Sequence, residues 1–398
     1  MKRYILGILS LLLVGSAFAQ RNKTGVVVFG ATPSGLAAAI QSAHSGAKTT
    51  LVHQGEFTSI TINEAERTFK TGVYGDFLKL VDSLKSKSQS QSSGLTPEFV
   101  GTVFKGWTDT IKNLTVVRKG DLKEVKRDGK FWEAEFKDKS EIKATVFIDA
   151  TTNSVIASLA KVAMPSPLLT VVDVYSDKKY RTSVAPVSGQ LHFLPISALI
   201  AGKENFLVTG ASVATSTFAA GQAAGAVGAY CAFFNKETKE LDIRIIQAEL
   251  LAYRSQLFNF TDISPADSSF SAIQKLAATG ILKGRLVNNN FLFMPDSTVL
   301  ASDIRDAMKE YYSRSQIWFL DNKAERLSLK EVLSLIKFTA NRGDELDREV
   351  ERAWNKSLKL SGKFDLSRIV TRRELAVLFE AYMKPFARSV NNTGNLVV

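Results

Sequence analysis

A single cysteine, Cys231, and three histidines are all that this chain offers of the usual metal-binding and nucleophilic side chains, and that scarcity excludes several chemistries at once. One thiol cannot close an internal disulfide, so the fold must be held by its core. His44, His53 and His192 are separated from one another and from any cysteine pair, which argues against a zinc centre. Cys231 lies in an alanine-rich run, the setting of a packed thiol more than of a nucleophile. Long apolar runs are also missing beyond residue 20. The small-residue stretch near Gly221 is interrupted by Gln222 and by glycines, and a bilayer span needs roughly 18 apolar residues. No transmembrane span is therefore expected in the mature chain. The formal charge of +12 is dispersed among acidic residues, without the basic and aromatic patterns of nucleic-acid modules. Solvated surface is expected, and no nucleic-acid partner.

What is present begins with the N-terminus. Lys2 and Arg3 precede an apolar stretch over 5–14, followed by Ala17-Phe18-Ala19 and Gln20. Positive residues, a short apolar run and small residues at the cleavage positions describe a secretory signal. The expectation is a signal peptide over 1–19, and an exported protein that is periplasmic, extracellular or attached to a cell surface. The 398 residues, 45% of them hydrophobic, suffice for two ordinary cores.

Val26-Val27-Val28-Phe29 is a short continuous apolar run, as a parallel strand buried on both faces requires. Gly30 ends it, 35–40 reads as a helix closed by Gly46, and 49–52 reads as a second strand. Strand, turn, helix and strand within roughly 30 residues make one βαβ unit. The turn, Gly30-Ala31-Thr32-Pro33-Ser34-Gly35, has the form of a dinucleotide fingerprint. There the first glycine allows the tight turn, the middle one admits the pyrophosphate and the last lets helix and strand pack. The helix N-terminus offers free N–H groups and a positive dipole to the phosphates. Thr32 occupies the middle glycine's place. The carboxylate that normally binds the ribose about 20 residues on is also missing, since His53 and Gln54 stand there. Both can hydrogen-bond a ribose; His53 as a plain strand-end residue is the alternative.

Further along, helices are expected over 77–84 and 97–107, with strands over 114–117, 122–127, 130–136 and 144–149. Asp128-Gly129 marks a hairpin turn between the second and third of these. Residues 85–94 form a polar serine-rich tract that reads as a surface loop. Residues 168–175 and 180–184 are expected to pair around Asp177, 206–210 to form another buried strand, and 216–234 a small-residue helix. From about Asp262 the pattern turns amphipathic and helical, over 269–279, 302–311, 328–339 and 372–383, which places a boundary near residue 255. The reading is an α/β fold: a Rossmann-like FAD/NAD(P)-binding domain with a mostly parallel sheet over 20–255, then a smaller, mainly α-helical domain over 256–398.

Three segments together resemble a family of secreted FAD-dependent oxidoreductases, some of them associated with polysaccharide-degrading systems. They are residues 26–35 with the Thr-Pro turn, residues 144–151 ending in Asp149-Ala150-Thr151, and residues 205–210 with the later Gly221-Gln222-Ala223-Ala224-Gly225. Their order and spacing are those of the family from about residue 24 to 250. The resemblance implies FAD, with Gly30, Ala31, Thr32, Pro33, Ser34, Gly35, His53, Gln54, Asp149, Gly210, Gly221, Gln222 and Ala223 as its cofactor-binding residues. It also implies redox of a small or carbohydrate-derived substrate. The chain departs from the family at 57–63, which is not glycine-rich, at Val155 where an acid is usual, and at 211–216, which carries neither His nor Arg. Only about 25 residues separate Leu168 from Pro195, little room for a substrate domain. His192 is the one base candidate on that side, and no catalytic residue is named. Residues 271–282, 293–295 and 371–376, with 302–305 as a degenerate copy, resemble an S-layer homology module, which implies a cell-surface glycan partner; the alternative is a small helical domain packed on the first one. The alternative to an enzyme is a non-catalytic surface or glycan-binding protein on a flavoprotein scaffold.

Overall fold

The computed structural model describes residues 23–55, 57, 60–62, 67, 69–88, 95–165, 174–187, 193–210, 212 and 214–397. The expected signal segment over 1–19, His192 and most of the serine-rich tract lie outside them.

Strand β1 (Lys23–Phe29) leads into helix α1 (Pro33–His44) and strand β2 (Thr49–His53). Helices α2 (Gly72–Ser88) and α3 (Pro97–Thr108) return the chain to β3 (Leu114–Arg118). Then follow β4 (Leu122–Asp128), β5 (Phe131–Phe136) and the long β6 (Glu141–Asp149). Short α4 (Val155–Leu159), β7 (Ser183–Ala185), β8 (Leu194–Pro195) and β9 (Phe206–Val208) precede α5 (Phe218–Phe234).

Apart from β7 and β8, which form a separate two-stranded sheet, one sheet organises these strands in the order β3-β2-β1-β6-β5-β4, with β9 also pairing β6. Pairings β3–β2, β2–β1, β1–β6 and β6–β9 are parallel, while β4–β5 and β5–β6 are antiparallel. One edge of β6 is shared: residues 141–144 pair with β5 and 147–149 with β9. This is the mixed but mostly parallel Rossmann-like α/β sheet that the apolar strand runs predict. Alternation along the strands sorts the core. Val26, Val28, Val146 and Ile148 face α1 and α5, while Val27, Phe29 and Phe147 face the β4–β5 ribbon with Trp132 and Phe136.

The hairpin at Asp128-Gly129 forms one residue late, because Asp128 still pairs with Phe131 and the turn falls on Gly129 and Lys130. Gly129 takes φ +59°, the left-handed conformation that favours glycine. The hairpin expected around Asp177 is replaced. Residues 178–182 form a 3-10 turn, and β7 pairs with β8; residues 168–173 are outside the described set.

The C-terminal half is helical: α6 (Ile243–Ala252), α7 (Phe270–Thr279), α8 (Ala301–Tyr311), α9 (Ser315–Asp321), α10 (Leu329–Ala340), α11 (Glu345–Ala353) and α12 (Arg372–Tyr382). Ser328 with Glu331 and Thr371 with Glu374 build capping boxes that fix where α10 and α12 begin. A hairpin, β10 (Arg285–Val287) with β11 (Asn290–Leu292), turns on Asn288 and Asn289, both at positive φ. One hydrophobic cluster runs from the sheet through Ile246 and Leu250 into Ile273, Leu333 and Phe379. Among the described residues no helix is long and apolar enough to cross a membrane.

Candidate functional site

In a parallel α/β sheet, ligands lie outside the carboxyl ends of the strands, where the strand order reverses. Here that point is the crevice between β1 and β6. A cavity of about 680 Å³ opens there, reaching from the β1–α1 turn across the end of β2 to the residues after β3 and β6.

The corner itself is built by close approaches. Gly30 has φ +101°, and a Cβ on it would come within 2.8 Å of the Ala150 carbonyl oxygen. A Cβ on Gly35 would lie 1.9 Å from the Gly30 carbonyl oxygen. Neither position has space for a side chain, which accounts for two of the three fingerprint glycines. Thr32 at the third turns its hydroxyl inward. Its Oγ1 donates to the Ala150 carbonyl at 2.8 Å and accepts from the Gly35 N–H at 3.1 Å, capping α1. The Ser34 hydroxyl lies 3.3 Å from that oxygen and accepts from Thr209 at 3.1 Å, so a chain of hydroxyls ties the β1, β6 and β9 loops together. The amides of Ala31, Thr32 and Ser34 donate to no described residue. Of these, Ala31 and Thr32 lie in the cavity wall and Ser34 is buried behind it, so two free N–H groups face the cavity at a helix N-terminus, the kind of arrangement that receives a diphosphate.

Gly30, Ala31, Thr32, Pro33, His53 and Gln54 all line this cavity. Ser34, Gly35, Asp149, Gly210, Gly221, Gln222 and Ala223 do not, and each has a packing role or a buried place behind it. Asp149 is fully buried; its carboxylate accepts from the Thr151 N–H and hydroxyl and from the Ala157 N–H. It shapes the loop after β6, and burial pushes its pKa up against those hydrogen bonds. A Cβ on Gly210 would meet the Thr151 carbonyl at 2.2 Å. Gly221 lets α5 approach the backbone of Ser34, where a Cβ would be 2.0 Å from its carbonyl oxygen. Gln222 is held by structure: Oε1 accepts from the Val73 N–H, and Nε2 donates to Gln41 at 2.7 Å. Ala223 is buried in the main core.

Sequence reasoning missed the other walls. Gly120, Asp121 and Leu122 follow β3, and Phe136 and Lys137 end β5. Asp121 and Lys137 pair at 2.8 Å, and this hydrogen bond holds the Asp121 carboxyl below its usual range. Val155, Ile156 and Leu159 of α4 form an apolar side, with Val155 49% exposed. A strand-end reading could have found Asp121, since β3 lies beside β2 and its next residues must reach the same crevice. At the end of β2, His53 Nδ1 contacts the Gly55 carbonyl oxygen at 2.5 Å, and its ring packs edge-on against Phe57. Gln54 donates to the Gly120 carbonyl at 3.4 Å. Among the described residues there is no cluster of His, Cys, Asp and Glu that could hold a metal ion.

Residues 25–166 match the family model FAD dependent oxidoreductase. That stretch holds all but the first two residues of the βαβ unit and every residue that lines the cavity, and the match indicates FAD as the cofactor. Similar solved structures include a flavoprotein/dehydrogenase from Cytophaga hutchinsonii, 15% identical, with 65% of this chain and 93% of that one covered and a TM-score of 0.36. Another is p-nitrophenol 4-monooxygenase from Pseudomonas putida, 13% identical, with 38% and 47% covered and a TM-score of 0.28. The chain thus spans less than half of that monooxygenase. No curated protein matches.

The residues fit the ADP half of such a cofactor. Free amides and a helix N-terminus face the diphosphate position, an apolar wall suits a flat base, and Thr32 does not plug the corner.

Proposed function

We propose that this chain is an exported flavoprotein of the FAD-dependent oxidoreductase type, acting on a small or carbohydrate-derived substrate. The observation that carries the reading is the pair of unpartnered amides of Ala31 and Thr32, which lie in the cavity wall directly before the α1 N-terminus. Those amides and the α1 dipole would hold the diphosphate, Val155 and Leu159 would pack on the adenine, and His53 and Gln54 stand where the ribose would lie. Bound flavin supplies the electron-transfer chemistry, and the protein binds and orients it. Export rests on the N-terminal pattern of charge, apolar run and small residues. A cell-surface glycan is the partner that the S-layer-like segments of the helical half would engage.

The test is the visible spectrum of the purified protein. Flavin bands near one equivalent, or their appearance with tight uptake of added FAD, support the proposal. A colourless protein that takes up no FAD leaves the second reading, a non-catalytic binding protein on this scaffold. One observation favours that second reading: Gln222, expected at the flavin, is bound up in packing against Gln41 and Val73. Export is checked separately, by whether the protein recovered outside the cytoplasm begins at Gln20.

A further inference from the structure

A ribose held at the end of β2 normally has its diol on a carboxylate there, because an ionised acceptor takes both hydroxyl protons at once. This chain has His53 and Gln54 in that place, and the His53 Nδ1 is already taken by the Gly55 carbonyl. The crevice nevertheless contains a carboxylate. Among the described residues that line the cavity, Asp121 is the one acid.

Its position follows from strand pairing. His53 is opposite Arg118 in the β2–β3 register, and the Lys119 N–H donates to the His53 carbonyl at 3.0 Å. Residues 120–122 therefore leave the sheet directly beside the end of β2, and the Gln54 side chain reaches across to Gly120. Lys137 fixes the acid from two directions. Its backbone N–H donates to the Asp121 carbonyl at 2.9 Å, and its ammonium pairs with the carboxylate at 2.8 Å. A carboxylate has room for more acceptor contacts than that one ammonium uses.

We propose that Asp121 is the ribose-recognising carboxylate of this site, moved from the end of β2 to the turn after β3. This rests on the adenine dinucleotide reading above, and it deepens that reading by naming what selects the nucleotide. The site then discriminates by the ribose diol, so it accepts an unmodified ribose and disfavours a deoxyribose.

The experiment is calorimetric titration of the full protein with ADP, with 2′-deoxy-ADP and with FAD, repeated on Asp121→Asn and Asp121→Glu. Asp121 has a largely exposed side chain, 66%, so both variants should fold. Wild type is expected to prefer ADP over the deoxynucleotide by about tenfold or more, as for loss of one hydrogen bond to a charged group. Asp121→Asn should lose most of that ratio and weaken FAD by a similar factor, and Asp121→Glu should keep part of it. A full wild-type ratio in Asp121→Asn, or no preference in wild type, overturns the assignment and leaves nucleotide binding intact. If wild type binds none of the three ligands, the flavoprotein reading itself is overturned, and this inference with it.

Discussion

Thr32 shows how one side chain can take a glycine's place in a turn of the dinucleotide-fingerprint form. A hydroxyl pointing outward would compete with the ligand; this one points inward, bonding Ala150 and capping α1. Thr32→Ala should cost about 1–2 kcal/mol through loss of the cap, read by urea denaturation, while the free amides remain. Stability unchanged within error would show that the cap contributes nothing. Substitution at Gly35, by contrast, tests folding more than binding, because a Cβ there collides with the Gly30 carbonyl. A second residue-scale expectation concerns Cys231, whose thiol is pushed up to about 12 by burial, ahead of the nearby Glu204 and Glu240 charges. A group whose folded pKa is raised favours the fold fully below its unfolded value, and that contribution is lost as pH climbs toward the folded value. Stability should thus fall between pH 9 and about 12, partly because of this thiol. Cys231→Ala should make the decline shallower, as followed by denaturation at stepped pH; an unchanged slope would assign it entirely to other groups. In the native state the thiol should also resist a maleimide at neutral pH.

At the scale of elements, α5 on α1 is the packing that holds the crevice in shape. Gly221 and Gly225 sit against the Ser34 and Ala38 carbonyls, where Cβ atoms would lie 2.0 and 2.3 Å away. Gly225→Ala should therefore be destabilising by about 1–3 kcal/mol or more despite its better helix propensity. Melting temperature is the measure, and a rise would mean the helices separate freely. The same stripe explains what was legible in the sequence and what was not. Residues 26–29, 49–52 and 144–149 declare themselves as strands because both faces are buried and the runs are continuously apolar. Gly221 and Gln222 were read toward the cofactor because a small-residue motif does not say whether it approaches a ligand or another backbone. Here it approaches α1. Asp121 gave no local signal at all: its place in the crevice comes from the register of β3 on β2, a long-range pairing that the segment's own sequence does not encode. The β10–β11 turn was missed for the opposite reason, since two adjacent asparagines at positive φ were a local signal left unread.

The whole molecule is held across its two halves by buried polar contacts as well as by apolar surface. Arg244, on α6, is only 4% exposed and donates to the carbonyls of Arg181, Ala278 and Arg388 and to Gln247. Arg181, also buried, pairs with Glu310 of α8 at 2.5 Å, and Gln274 of α7 accepts from the Leu257 and Phe258 amides. The Arg244 bonds to Ala278 and Arg388 and the Arg181–Glu310 pair join segments before and after residue 256, and the hydrophobic cluster crosses the same boundary. Removing Arg244 would take the guanidinium donor from the buried Ala278 carbonyl and the Gln247 Oε1, each costing about 1–3 kcal/mol when left without a donor. Arg244→Met should thus rank among the most damaging substitutions in the protein, at roughly 3 kcal/mol or more. The same contacts predict one calorimetric unfolding transition for the full chain. They also predict that a fragment ending at residue 255 exposes Val184, Ile246 and Leu250 and binds a hydrophobic dye. A fragment that instead keeps native near-ultraviolet dichroism and excludes the dye would mean that the sheet stands alone and the helical half is an appendage to it.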